Sequence, residues 1–119
     1  MDSKDRSRYE AQSQIIKALA HPSRLMMVDK LNERQRSVAE LTEMVGADTS
    51  TVSKHLSILK HAGLVFTEKR GTTVFYHLRM PCLIDFFRCV EMVMESNARG
   101  QMETVLHCRR KESAKPIQE

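Results

Sequence analysis

Tryptophan is absent from this chain, and aromatic residues make up only 5% of it. A core without them must rest on Leu, Ile, Val, Met and Ala, which favours helices over a β-sandwich. No apolar run approaches the roughly 18 residues of a membrane span, so no membrane partner is expected. Residues 1–10 are polar and charged and lack the apolar stretch of a secretion signal, which points to the cytoplasm. Cysteine is scarce. Cys82, Cys89 and Cys108 are an odd number with no Cys-x-x-Cys spacing, which argues against a disulfide framework and for reduced thiols. No nucleophile elbow, phosphate loop, zinc-protease motif or acid–base constellation is present, so an enzyme is not expected.

What is present is a globular composition, 41% hydrophobic and 29% charged, which excludes a disordered chain. Its 119 residues suffice for one domain with one modest core. Lys and Arg exceed Asp and Glu by 19 to 15, a balance that leans towards a polyanionic partner without demanding one.

Residues 1–8 are expected to be a flexible N-terminus, followed by a folded domain over 9–108 and a flexible, charged tail over 109–119. Tyr9, Ile15, Ile16 and Leu19 recur at helical spacing. Pro22 suits the first turn of a second helix, since its missing N–H would go unpaired there. Leu25, Met26, Val28 and Leu31 form that helix's apolar side. Ser37-Val38-Ala39-Glu40 fits a Ser-x-x-Glu capping box opening a third helix, and Gly46 stops it. Asp48-Thr49-Ser50 opens a fourth, with Val52, Leu56 and Leu59 as its buried stripe and Gly63 as its end. Two short helices joined by a glycine-containing turn form a helix-turn-helix. The period then falls to two. Leu64–Glu68 and Thr73–Leu78 read as strands flanking a Lys69-Arg70-Gly71-Thr72 turn, the hairpin of a winged helix. Pro81 opens a long last helix. Leu83, Ile84, Phe86, Phe87, Val90, Val93 and Met94 cover too wide an arc for one small domain, so a second copy of the chain is expected against it. The fold class is therefore α+β and mostly helical: a winged helix-turn-helix with a long C-terminal dimerisation helix.

The buried stripe of the fourth helix leaves Ser50, Thr51, Lys54, His55 and Ile58 on other faces, with Ser53 near the boundary. Small and hydrogen-bonding residues early in a helix suit entry into the major groove. Lys69, Arg70 and Thr72 at the hairpin tip suit minor-groove or backbone contact. Arg24, Gln35, Arg36 and Lys60 are candidate phosphate contacts. The implied partner is double-stranded DNA.

The runs His21-Pro22-Ser23-Arg24-Leu25, Ser50 through Val65, Lys69-Arg70-Gly71 and Phe75-Tyr76-His77-Leu78 together resemble the ArsR/SmtB family of metal- and metalloid-responsive repressors, over roughly residues 9–100. The resemblance implies a homodimer that binds a partly symmetric operator and releases it when an effector binds. Its DNA-reading positions fall on Thr51, Ser53, Lys54 and His55, with the wing at Lys69, Arg70 and Thr72. The family's thiol-rich metalloid site, at the start of the third helix, is replaced here by Ser37, Ala39 and Thr42. The places of its zinc site on the last helix hold Met80, Cys82, Val93 and Ser96.

Cys82 and Cys89 remain on the last helix, with Cys108 near the end. Seven residues apart, Cys82 and Cys89 share a helix face but lie ~10 Å apart along the axis. One continuous helix does not bring them together, whereas two antiparallel copies would set Cys82 against the partner's Cys89. Such thiolates suit arsenite or another soft metal ion as effector, or an oxidative response. The alternative is that both are small packing residues in a dimer core. None of the five His pairs with another at the three- or four-residue spacing of a helical metal site; His107 beside Cys108 is a weak exception. Two rival functions stand beside the effector-released repressor. One is a winged-helix regulator with no cysteine-dependent effector. The other is a winged-helix protein-interaction module, which would show apolar anchors on the fourth helix.

Overall fold

The computed structural model describes residues 1–100. In chain order the elements are α1 (Ser3–Leu19), α2 (Pro22–Glu33), β1 (Arg36–Ser37), α3 (Val38–Val45), α4 (Thr49–His61), β2 (Val65–Arg70), β3 (Thr73–Leu78) and α5 (Leu83–Arg99). They fall into two compact units, one spanning Met1–Pro81 and one beginning at Cys82. His107, Cys108 and the boundary expected at 109 lie outside the described residues.

Local chemistry sets the helix ends in the first unit. Asp2 caps α1 by accepting the Asp5 N–H at 2.8 Å, so this helix starts well before Tyr9, where its apolar periodicity first shows. His21 caps α2, with Pro22 in the first turn. Ser37 and Glu40 form the full capping box of α3, each side chain accepting the other's backbone N–H. Gly46, at φ +74°, ends α3 in the left-handed region that glycine enters without steric cost.

The core consists of Ala18 and Leu19 from α1, Met27, Val28 and Leu31 from α2, Leu41 from α3, Val52, Leu56 and Leu59 from α4, and Leu64 and Val65 leading into β2. Met27 is fully buried while Leu25 is exposed, a one-position correction to the apolar side expected of α2. Four consecutive apolar residues, Leu25 to Val28, leave the helical phase undetermined by pattern alone.

The sheet has the order β1-β3-β2 and is antiparallel throughout. Arg70 pairs with Thr73, so the loop is Gly71-Thr72 alone and the strands run further out than the four-residue turn expected from sequence. Gly71 has φ +62° and Thr72 is not in the positive region, the pattern of a type II′ turn. β1 was not foreseen. Its two residues pair Arg36 with Tyr76 and Ser37 with Phe75, which ties the hairpin to the start of α3.

In the second unit α5 begins two residues after Pro81. Cys82 is its N-cap, in a right-handed helical conformation and without a side-chain cap bond. Cys82, expected inside a helix opened by Pro81, therefore stands at its boundary instead. No helix among the described residues is long and apolar enough to cross a membrane.

Candidate nucleic-acid interface

α3 and α4 form the helix-turn-helix, and β2 and β3 the wing beside it. Val52, Leu56 and Leu59 are fully buried, which fixes the rotation of α4 about its axis. Ser50, Thr51, Ser53 and Lys54 are consequently exposed along its first turns. The Asp48 carboxylate caps this helix, accepting the Thr51 N–H at 2.7 Å and the Ser50 hydroxyl at 3.2 Å. Hydrogen bonding from Thr51 foremost holds the Asp48 carboxyl below its ordinary range. Ser50 is thus partly engaged within the cap, while Lys54 has no hydrogen-bond or ion-pair partner among the described residues.

His55, expected on the reading face, is turned inward. It is half-buried, 3.0 Å from the Arg24 guanidinium through Nδ1, with its ring centroid 4.3 Å from that of His21. Burial first, then the charges of His21 and Arg24, hold the His55 imidazole below its usual range. The inward turn comes from position: His55 precedes the buried Leu56 and faces the start of α2.

Two candidate phosphate contacts are also redirected. Arg24 donates Nε to the Ala18 carbonyl at 2.6 Å as well as meeting His55. Arg36 is only 5% exposed and donates to the Lys30 carbonyl and to Glu33, both at 3.1 Å. Buried guanidinium groups are tolerated when their donors are met in this way. Gln35 is half-buried and Lys60 exposed.

On the wing, Lys69, Arg70 and Thr72 are exposed. Arg70 pairs with Glu68 at 2.7 Å and lies over the Phe75 ring, 5.4 Å from its centroid. Glu68 also meets His77 Nε2 at 3.2 Å, and that hydrogen bond first, with Arg70, keeps its carboxyl below the usual range. Lys69 projects from the opposite face of β2, with no partner among the described residues. The wing therefore offers one unpaired cation and one that is half-neutralised.

Cys82 and Cys89 are both free and exposed. With Phe86 and Val93, 48% and 43% exposed, they fall at 82, 86, 89 and 93, the alternating four- and three-residue spacing of a single helical stripe. Among the described residues, no three His, Cys, Asp or Glu side chains are grouped to hold a metal ion.

The architecture has close counterparts. The HTH-type transcriptional regulator Rv0081 of Mycobacterium tuberculosis is 32% identical over 87 residues, 72% of this chain and 76% of its own. Its crystal structure superposes with a TM-score of 0.70 at 30% identity, covering 77% of this chain and 93% of that one. The HTH-type transcriptional repressor SmtB of the same species is 42% identical over 69 residues, 58% of this chain and 51% of its own length. The solution structure of Mb0332 from Mycobacterium bovis, described as a homodimeric winged helix-turn-helix DNA-binding domain, shares the fold with a TM-score of 0.72 at 24% identity, covering 86% of this chain and 94% of that one. Residues 21–67, from the cap of α2 into the wing, match the bacterial regulatory protein model of the arsR family. Fold, helix-turn-helix and kinship agree: this chain belongs to the ArsR family of DNA-binding transcriptional regulators and is not an enzyme.

Proposed function

We propose that this chain is a cytoplasmic homodimeric repressor that holds operator DNA with α4 and the wing and releases it to a thiol-reactive effector at Cys82 and Cys89. The observation that carries the DNA surface is the run of exposed polar residues Ser50, Thr51, Ser53 and Lys54 on α4, with the unpaired Lys69 on the neighbouring wing. Ser50, Thr51 and Ser53 are small enough to approach base edges; Lys54 and Lys69 bring the charge that phosphates require. Thr72 offers a backbone contact at the tip. The repressor sense follows SmtB, and the homodimer follows Mb0332 together with the exposed stripe of Cys82, Phe86, Cys89 and Val93.

A second copy laid antiparallel along that stripe would bring Cys82 close to the partner's Cys89. Arsenite, another soft metal ion or an oxidant would then link the subunits and change the spacing of the two recognition helices, which must enter successive major grooves together. The probe is a duplex selected by the parent protein from a randomised pool. Lys54→Ala and Lys69→Ala should each lower the slope of log K against log salt by about one, and Arg70→Ala by less, because Glu68 already holds that guanidinium. Binding unchanged in both lysine variants at every salt concentration would remove this surface. Arsenite and a mild oxidant are then added to the bound duplex. Release by the parent but not by Cys82→Ser or Cys89→Ser supports the thiol site; an equal response from all three leaves the cysteines as packing residues and favours a regulator without a cysteine-dependent effector.

A further inference from the structure

We propose that His21, Arg24 and His55 form a positioning latch for the recognition helix that closes only while both imidazoles are neutral, so that mild acid weakens DNA binding. This rests on the DNA-binding surface proposed above and adds to it a pH dependence of definite sign.

The tautomers follow from the donors. A guanidinium has donors and no acceptor, and it stays charged in proteins. Arg24 Nη1 lies 3.0 Å from His55 Nδ1, so that nitrogen accepts and the ring proton sits on Nε2. His21 Nδ1 accepts the Ser23 N–H at 3.0 Å as the cap of α2, which likewise requires it unprotonated. Arg24 Nε donates to the Ala18 carbonyl at the end of α1. The cluster thus joins the end of α1, the start of α2 and the middle of α4, and each imidazole takes part through the nitrogen that protonation would convert into a donor.

A proton at either Nδ1 sets donor against donor and adds a cation to a cluster that already holds one. The groups whose charge acts on His55 are His21 and Arg24, and neither is a carboxylate able to compensate. Burial and those charges keep the latched His55 imidazole below its ordinary range. The His55 contact of the latch is therefore intact above the ordinary imidazole value, ~6.5, and is lost as pH falls through the lowered value of that imidazole. This sign separates it from simple charge attraction. Histidines that merely face phosphate gain charge in acid and tighten DNA binding; a latch that opens loosens it.

His21→Asn and His55→Asn keep an acceptor close to the Nδ1 position and cannot titrate, and Asn is a good helix cap. The test measures affinity for the selected duplex at fixed salt, for parent and double variant, from about pH 7.5 to about pH 5. The parent should weaken by at least roughly threefold while the double variant holds constant or tightens. A parent that binds as well or better in acid, or a double variant that weakens as much as the parent, overturns the proposal. Imidazole ¹⁵N shifts of the DNA-free parent give an independent check: a proton on His55 Nδ1 at neutral pH overturns the latch whatever the DNA result. Should no duplex be selected at all, the DNA surface fails, and these shifts with the acid titration of His55 still decide the latch.

Discussion

Replacing Arg36 by methionine keeps an apolar stem of similar length and removes the guanidinium. The bond from Nε to the Lys30 carbonyl, 3.1 Å long and nearly closed to solvent, is of the charge-assisted class worth ~1.5–3 kcal/mol. The ion pair with Glu33 is worth less, ~0.5 kcal/mol, because that carboxylate is 53% exposed and screened. Glu40 at 3.8 Å is beyond hydrogen-bond range and adds little. With the stem's packing retained, the free energy of unfolding should fall by about 2–3 kcal/mol. In urea the midpoint should drop by about 1–2 M with an unchanged slope. Protein concentration must be held fixed, because the stability of the proposed dimer would depend on it. The salt dependence of DNA binding is the second readout and should not change. An unmoved urea midpoint, with a salt slope reduced by about one, would show that Arg36 sits on phosphate and that its burial has been misjudged.

Gly63→Ala should destabilise the fold by about 1–2 kcal/mol, seen as a lower melting temperature, since φ there is +80°; an unchanged melting temperature would refute the strain. For Glu40, Arg34's hydrogen bond first and the Ser37 N–H next hold the carboxyl below its usual range. Its stabilising contribution is therefore present above the ordinary value, ~4.3, and disappears as pH falls through the lowered one. Melting temperatures of parent and Glu40→Gln should differ at neutral pH and converge in strong acid; a gap that persists in acid contradicts this. Phe86→Asp places a charge on the exposed stripe of α5 and should yield monomers in sedimentation at micromolar concentration, whereas an unchanged mass would move the subunit contact elsewhere.

Features written in short stretches of chain were legible. The Ser37–Glu40 capping box, the Val52, Leu56 and Leu59 stripe and the glycine-tipped hairpin each need only a few neighbouring residues. Those that failed depend on distant partners. His55 looks like a base-reading residue until Arg24, 31 positions earlier, is brought beside it. Arg36 looks like a surface cation because nothing nearby announces that the end of α2 and the start of α3 will close over it. β1 has two residues and so no period to detect. The exposure of Ser50, Thr51, Ser53 and Lys54 was legible because exposure opposite a clear apolar stripe is a local inference; the unequal pairing of Lys69 and Arg70 on the wing was not, since the Glu68–Arg70 contact becomes visible only once the strand is formed.

Ser37 belongs to two structures at once: it pairs with Phe75 in the sheet and caps α3. The wing is consequently rooted in the helix-turn-helix, clamped at Phe75 and Tyr76, with only the stretch around Arg70 to Thr73 overhanging. Its geometry is that of a short cantilever, held at the base by β1 and without that third strand at the tip. On the DNA surface proposed above, a wing rooted in this way would leave each subunit little freedom to widen or narrow its own grip, and the duplex would make the adjustment. Sequences whose grooves already have the fitting width would then be favoured even at base pairs that no side chain touches.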